Sequence, residues 1–350
     1  MSLCDCPVNL DPVEDPEGAL RLFQSCDAVL PACEDIGLLR KLDSMKDRMG
    51  VPLLFDLPSY EITSSKSRSN EVMASAGIPL PRPWPDCGFP AIVKPASQSG
   101  SVGVTTVHDR EGMERGLEFI RGIGDEPVIQ EFVSGKSVSI EVIGNGSTAR
   151  PYVVTEVCLD RNYDCKMVRC NPNIMSEDDC GLFAEMGKDA AEAIGLSSMM
   201  DMEAILTEKG LRAIEIDARI PSQTPAAVEA ATGVNLLEEL VDAASGRPGD
   251  RRPADGCSVY RHVHLKGGRL RSCGEKEFGH VVRPRFAPGL FGSYNSVTDY
   301  APGKDEWYAT LISKGRTERE ADERAASCIE RILDECSIDE FLDGTPEMIR

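Results

Sequence analysis

Charged residues alternate with apolar ones in a short stretch near the middle of the chain, GLRAIEIDARIPSQTP, at positions 210–225. A strand sends successive side chains to opposite faces, so Glu215, Asp217 and Arg219 are expected to share one face. The apolar residues among them, Ile214 first, are expected on the other face. The strand is therefore predicted to carry a charge row beside an apolar surface.

The segment before it, MMDMEAILTEKG, also alternates acidic and apolar residues and ends in turn-forming residues. A three-residue loop would make an antiparallel hairpin in which Thr207 pairs with Leu211. Counting back along both arms, this register sets Glu203 opposite Glu215. It also sets Asp201 opposite Asp217.

Facing carboxylates destabilise a hairpin unless a cation lies over them. A divalent ion with oxygen ligands, such as Mg²⁺, suits this arrangement. We therefore predict a metal site at Glu203, Glu215 and Asp217. The alternative left open by the pattern is a solvated acidic face.

Two lysines could neutralise phosphate groups. Lys94 ends an apolar strand, AIVK, and precedes the loop PASQSGSVGV, whose backbone N–H groups and hydroxyls can bind phosphate oxygens. The loop lacks the Walker A pattern, so a merely flexible loop is the alternative. Lys66 begins a helix in TSSKSRS, and a solvated surface lysine is the alternative there.

The strand IQEFVSG (residues 129–135) breaks at a glycine and could present backbone amides to a purine ring. An ordinary edge strand is the alternative. Further along, Thr224 and Pro225 match the N-cap and first position of a helix. A helix N-terminus there would favour an anion beside the charge row.

The elements that must position these residues change in type along the chain. Strands at 28–31 and 52–55 flank a helix over 36–49, which is a parallel α/β pattern. Such a sheet normally begins with a further strand and helix, so we expect this N-terminal domain to be incomplete. The region 137–220 is predicted to be mostly antiparallel strands. We divide the chain into a truncated N-terminal α/β domain (1–57), a small lid subdomain with its linker (58–133), a central and C-terminal domain (134–340) and a tail (341–350).

The composition excludes several classes of partner. The chain has 38 Lys and Arg against 58 Asp and Glu, a formal charge of −20, which repels nucleic acid and anionic membranes. It has no long apolar run and no leader-like start, so we expect a cytoplasmic protein. Thirteen cysteines without a CxxC pair indicate reduced thiols rather than disulfides or structural zinc.

Taken together, these motifs resemble the ATP-grasp superfamily of carboxylate–amine ligases. The shared pattern is an early lysine, a strand lysine before a small-residue loop, a strand that holds adenine, and metal carboxylates in an E-x-[ND]-x-R element. Within the superfamily the chain resembles the PylC family of pyrrolysine biosynthesis. The matching segments include DAVLP (27–31), NYDCKMV (162–168), MDMEAI (200–205) and IEIDARIPSQTP (214–225).

The resemblance implies an α/β (α+β) ATP-grasp fold with an incomplete N-terminal pre-ATP-grasp domain. It implies ATP and two Mg²⁺ ions, phosphorylation of the carboxylate of 3-methyl-D-ornithine, and attack on the acyl phosphate by the ε-amine of L-lysine. The implied partners are these small molecules, with no nucleic acid and no membrane, in a homodimer.

The resemblance also assigns roles by matching position. Catalysis falls to Arg219 and Lys94, and the metal ligands are Glu203, Glu215 and Asp217. The residues expected at ATP are Lys66, Lys94, Ser99, Gly100, Ser101, Val102, Gly103, Gln130, Glu131, Phe132 and Val133. The residues expected at the amino acid substrates are Tyr163, Asp164, Asp217, Ser222, Gln223 and Thr224.

Two alternatives stay open at this stage. One is a ligase for another amino acid pair, similar to D-alanine ligases. The other is an ATP-binding module with impaired catalysis, because the first strand and glycine loop of the family are not seen in this sequence.

Overall fold

The computed structural model describes residues 5–160, 162–247 and 253–342, and it is built around two mainly antiparallel sheets. The helices are α1 (Pro16–Phe23), α2 (Ile36–Met49), α3 (Leu57–Thr63), α4 (Lys66–Ser75), α5 (Arg110–Gly122), α6 (Glu177–Ala193), α7 (Thr224–Thr232), α8 (Leu236–Ala244), α9 (Glu275–Phe278) and α10 (Glu318–Cys336). The strands are β1 (Ala91–Pro95), β2 (Thr105–Val107), β3 (Pro127–Glu131), β4 (Lys136–Gly144), β5 (Ala149–Leu159), β6 (Cys165–Cys170), β7 (Met199–Thr207), β8 (Gly210–Asp217), β9 (Cys257–Lys266), β10 (Arg269–Ser272), β11 (Arg285–Phe286), β12 (Asn295–Thr298), β13 (Glu306–Gly315) and β14 (Phe341–Leu342).

The N-terminal α/β pattern forms with less strand than predicted. The two expected strands reduce to one parallel bridge between Val29 and Leu53, with the Val29 N–H donating to the Pro52 carbonyl at 2.9 Å. Within the described ranges no further strand pairs with this bridge, so little holds the flanking residues extended. Leu20 of α1 and Met45 of α2 bury the apolar side of this region.

The smaller sheet has three strands in the order β2-β1-β3 and is covered by α5. Its core joins Val93 and Val107 of the sheet to Met113 and Ile120 of α5. The helix is capped by Asp109, whose side chain accepts a hydrogen bond from the Gly112 N–H at 2.7 Å. This sheet positions Lys94 at the end of its central strand.

The larger sheet has eleven strands, nine of them in the order β11-β12-β13-β9-β6-β5-β4-β7-β8. On one face, Ile140, Met202 and Ile216 pack against Phe183 of α6. On the other face, α7 and α8 cover part of the sheet. α10 packs on β13 and β9 from the side opposite α7. The part of β7 and β8 that α7 and α8 leave uncovered faces the smaller sheet.

The smaller sheet lies within the predicted segment 58–133, and the larger sheet lies within 134–340 except for β14, which falls in the predicted tail. The domain boundaries themselves stay a prediction. No helix in the described part of the chain is both long and apolar enough to cross a membrane. The twelve described cysteines are all free thiols.

Candidate active site

The hairpin of β7 and β8 sets acidic residues in opposed pairs. Glu203 pairs with Glu215, and Asp201 pairs with Asp217. This register is the one predicted from the sequence. Four carboxyl groups therefore stand on two neighbouring strands at the edge of the larger sheet.

The predicted three-residue turn is wrong. Thr207 pairs with Gly210, and only Glu208 and Lys209 form the loop. Gly210 has φ of +96°, a conformation that glycine adopts without the strain another residue would meet. A β-bulge at Ile214 then adds one residue to β8 and restores the register of the carboxylates.

The bulge also corrects the predicted faces of β8. Ile214 and Glu215 both line the cavity between the sheets, although strict alternation would place Ile214 on the opposite face. Ile220 lies at the cavity too. The Ile214 carbonyl accepts a hydrogen bond from Lys94 Nζ at 3.1 Å. The bulge thus supplies both an apolar wall and an anchor for the strand lysine.

The cavity has a volume of about 840 Å³ and is open to solvent on one side. The predicted site residues all line it except Val102, Gly103, Gln223 and Thr224. Val102 is exposed, and a Cβ at Gly103 would lie 2.8 Å from the Phe119 ring of α5. Gly103 therefore packs against α5 instead of facing the cavity, whereas Val104 at the end of the loop lines it.

The N-terminus of α7 differs from the prediction by one residue. Gln223, not Thr224, is the N-cap, and it makes no side-chain capping bond. The Gln223 amide is held instead by Cys165, whose Sγ donates to Oε1 at 2.8 Å, and by His262 at 3.3 Å. Gln223 and Thr224 are buried behind the cavity wall, and of the residues 222–224 only Ser222 reaches the cavity.

Two buried lysines face the acidic pairs. Lys66 Nζ lies 2.8 Å from Glu215 Oε1 and donates to the Gln98 carbonyl at 2.7 Å. Burial lowers the pKa of Lys94, against the attraction of Glu215. Cationic groups therefore reach the acidic pairs from the side of α4 and the smaller sheet.

The carboxylates carry more negative charge than these lysines balance. Burial raises the pKa of Glu203 to about 7, and repulsion from Glu215 adds to the effect. Burial also raises the pKa of Asp217 to about 6, against the pull of Arg219. Burial and repulsion from Asp217 raise the pKa of Asp201 well above its ordinary value. An additional cation would relieve this repulsion.

The donor set fits a Mg²⁺ ion that arrives with a nucleotide. The described residues contain no group of three or more acidic, histidine or cysteine side chains arranged to hold a metal ion. Mg²⁺ commonly takes one or two protein carboxylates and completes its shell with water and phosphate oxygens. Glu203 and Glu215 provide such a pair, with one oxygen of Glu215 against Lys66. One oxygen of Asp217 is likewise bound to Arg219.

Arg219 is shared between two carboxylates. Its Nε lies 2.8 Å from Asp217 Oδ2 and 3.0 Å from Glu34 Oε1. Ser99 of the small-residue loop donates to the other oxygen of Glu34. Burial opposes protonation of Arg219, yet the surrounding carboxylates raise its pKa. Glu34 was not predicted from the sequence, because no local motif marks the segment before α2.

The polar groups of the strand expected at adenine differ in their burial and in their partners. Gln130 is buried, and the carboxylate of Glu131 pairs with Arg82 at 2.9 Å. The Glu131 N–H donates to the Arg82 carbonyl, and the Phe132 N–H donates to the Pro90 carbonyl. Val133 follows on the cavity wall, where the chain leaves β3.

A further part of the wall comes from the segment before β6 and from α9. Ser101 donates to the Tyr163 carbonyl at 2.8 Å, and the hydroxyls of Tyr163 and Thr106 are hydrogen-bonded. Asp164 accepts from the Lys276 N–H at 3.4 Å. Lys276 and the neighbouring Glu275, which binds Ser222, also line the cavity and were not predicted.

Comparison with known proteins agrees with this geometry. Residues 63–223 match the model of the ATP-grasp domain family. The fold resembles the biotin carboxylase domain of 2-oxoglutarate carboxylase from Hydrogenobacter thermophilus, solved as a dimer with MgADP, with a TM-score of 0.71 and 19% identity over 92% of this chain and 79% of that one. The fold is therefore that of the ATP-grasp enzymes, a class that uses ATP and Mg²⁺.

Two curated relatives narrow the class. The 3-methyl-D-ornithine–L-lysine ligase of Methanosarcina mazei is 38% identical over 75% of this chain and 68% of its own length. The Methanosarcina barkeri enzyme of the same name is 36% identical over 76% and 70%. The chain belongs to this family of ATP-grasp carboxylate–amine ligases, as its sequence motifs predicted.

Proposed function

We propose that the protein joins the carboxylate of 3-methyl-D-ornithine to the ε-amine of L-lysine at the expense of ATP. The observation that carries the proposal is the placement of Glu203, Glu215 and Arg219 on one cavity wall, with Lys66 and Lys94 facing them. The family of the chain supplies the identity of the two amino acids.

In this proposal the γ-phosphoryl group passes from ATP to the substrate carboxylate, which gives an acyl phosphate and ADP. Lys66 and Lys94 bind the nucleotide phosphates, and Val133 contacts the purine ring. Mg²⁺ held by Glu203 and Glu215 would neutralise the charge on the phosphate oxygens. The lysine ε-amine, in its neutral form, then forms the amide bond as inorganic phosphate leaves and the amine loses a proton.

Arg219 is the group best placed to stabilise the acyl phosphate and the tetrahedral intermediate. Its guanidinium is fixed at the end of β8 by Asp217 and by a bond to the Ile220 carbonyl at 3.3 Å. A donor held in position before the reaction stabilises developing negative charge with little reorganisation. We assign substrate binding to Asp217, Tyr163, Asp164 and Ser222, and we place Gln223 and Thr224 behind the wall as supports.

We further propose that the protein acts as a homodimer in the cytoplasm. Support for the dimer comes from the dimeric biotin carboxylase domain with a similar fold. Support for the compartment comes from the free cysteines, which a reducing environment would preserve.

The test is ADP release with ATP, Mg²⁺, 3-methyl-D-ornithine or D-ornithine, and L-lysine, with the amide detected by mass spectrometry. Release that needs the ornithine substrate and yields the amide is expected. Glu215→Gln should abolish it, whereas Glu208→Gln, in the exposed turn of the same hairpin, should leave it unchanged. Release of ADP with D-alanine but not with D-ornithine would overturn the substrate assignment.

A further inference from the structure

Glu34 reaches the reaction cavity from a different part of the chain than the residues around it. It lies between the parallel bridge at Val29 and the N-terminus of α2. Its backbone carbonyl accepts a hydrogen bond from the Tyr60 hydroxyl at 3.4 Å, and its side chain lines the cavity. The N-terminal region therefore contributes one charged group to the centre of the site.

Negative charge exceeds positive charge around the ion pair that Glu34 makes with Arg219. Asp217 already binds the Nε of Arg219 at 2.8 Å, and Glu34 shares the same atom at 3.0 Å. Two carboxylates thus face one guanidinium, and Asp201 adds to the negative charge around it. This surplus favours a further cation beside Arg219.

A zwitterionic amino acid would satisfy both members of this pair. Its carboxylate and its α-ammonium group are on neighbouring carbon atoms, so the two charges are as close together as those of Glu34 and Arg219. Arg219 can exchange Glu34 for the substrate carboxylate while Glu34 takes up the α-ammonium group. The side chain of Glu34 is 39% exposed, so it is free to move by the small amount this exchange requires.

We propose that Glu34 binds the α-ammonium group of the amino acid whose carboxylate is activated. This inference rests on the proposed function, in which Arg219 faces that carboxylate. Glu34 also accepts a hydrogen bond from Ser99 of the loop expected to cover the phosphates. Glu34 therefore links the bound amino acid to the position of that loop.

The test compares three ligands by calorimetry in the presence of MgADP, with and without Glu34→Gln. D-Ornithine carries both ammonium groups, D-norvaline keeps only the α-ammonium group, and 5-aminopentanoate keeps only the δ-ammonium group. Glu34→Gln should weaken D-ornithine and D-norvaline about 10- to 100-fold, the range expected for a charged hydrogen bond, and should change 5-aminopentanoate less than about threefold.

Two further variants serve as controls. Glu61→Gln removes a glutamate that pairs with Arg40 outside the cavity and should change none of the affinities. Ser99→Ala removes only the loop contact. When Glu34→Gln is added to this variant, it should still weaken the binding of D-norvaline. Equal weakening of D-norvaline and 5-aminopentanoate by Glu34→Gln would overturn the inference.

Ligation by the wild-type protein is measured in parallel. If the amide forms but Glu34→Gln shows no preference for ligands with an α-ammonium group, this inference fails and the proposed function stands. If the wild-type protein binds none of the three ligands, both fail.

Discussion

The Nζ atom of Lys66 lies 2.8 Å from Oε1 of Glu215, so an ammonium group already occupies one side of a carboxylate assigned to Mg²⁺. The lysine and the metal ion would compete for this oxygen until ATP offers the lysine its phosphates. The same side chain is thus expected to oppose binding of the metal alone and to favour binding of the nucleotide.

Lys66→Ala should therefore change two affinities in opposite directions. Binding of Mg²⁺ without nucleotide should strengthen about threefold or more, because a competing cation is gone. Binding of ATP should weaken about tenfold or more, because a charged phosphate contact is lost. Calorimetry measures both, with Lys209→Ala in the exposed turn as the control. A loss of both affinities would contradict the competition.

The acidic pairs should make the metal-free protein less stable as pH rises. An unfolded glutamate ionises near pH ~4.3, whereas the folded Glu203 has a pKa of about 7. Between these values the folded protein holds a proton that the unfolded chain has lost, so raising the pH lowers the free energy of unfolding. The expected loss from about pH 5.5 to about pH 8 is on the order of 1–3 kcal/mol.

Urea denaturation with a chelator present measures this effect. Glu203→Gln should show a smaller loss than the wild-type protein over the same pH range, and MgATP should reduce the wild-type loss. An equal loss in the two proteins would show that Glu203 does not bind the proton concerned.

Replacement of Arg219 should impair the chemical step more than nucleotide binding. Arg219→Lys keeps a positive charge beside Asp217 but loses the planar, multi-donor guanidinium. We expect kcat to fall about 100-fold or more while the KM for ATP stays within about threefold. A rise in the KM for ATP with unchanged kcat would mean that Arg219 acts on the nucleotide instead.

Deletion of Ile214 should weaken nucleotide binding and leave the carboxylates of the metal site in register. Removal of the bulged residue leaves Glu203 opposite Glu215 in a regular ladder, so the carboxylates keep their register. The carbonyl that holds Lys94 disappears with it. We expect a folded protein, checked by circular dichroism, with ATP affinity reduced about tenfold or more. Unchanged ATP affinity would show that the anchor is dispensable.

The hairpin of β7 and β8 shows which features sequence patterns can predict and which they cannot. Alternation of acidic and apolar residues was sufficient to predict that Glu203 faces Glu215. It could not locate the bulge at Ile214, because a one-residue shorter turn and a one-residue bulge offset each other in the pattern. The face predicted for Ile214 was wrong for this reason.

Long-range contacts account for most of what the sequence analysis missed. Glu34 and Lys276 have no motif around them, and only the folded chain brings them beside Arg219 and the small-residue loop. The cap of α7 was placed one residue late because Gln223 is drawn toward Cys165 and His262, which are distant in sequence. Local propensity contains no information about such partners.

The cavity wall that α9 completes has a consequence for biosynthesis. The lysines, the carboxylates and Arg219 all leave the ribosome before Glu275 and Lys276 do, since translation proceeds from the N-terminus. A nascent chain that ends before α9 would expose these groups to solvent without enclosing a nucleotide between them. The cavity wall is therefore complete only once Glu275 and Lys276 have been added to the chain.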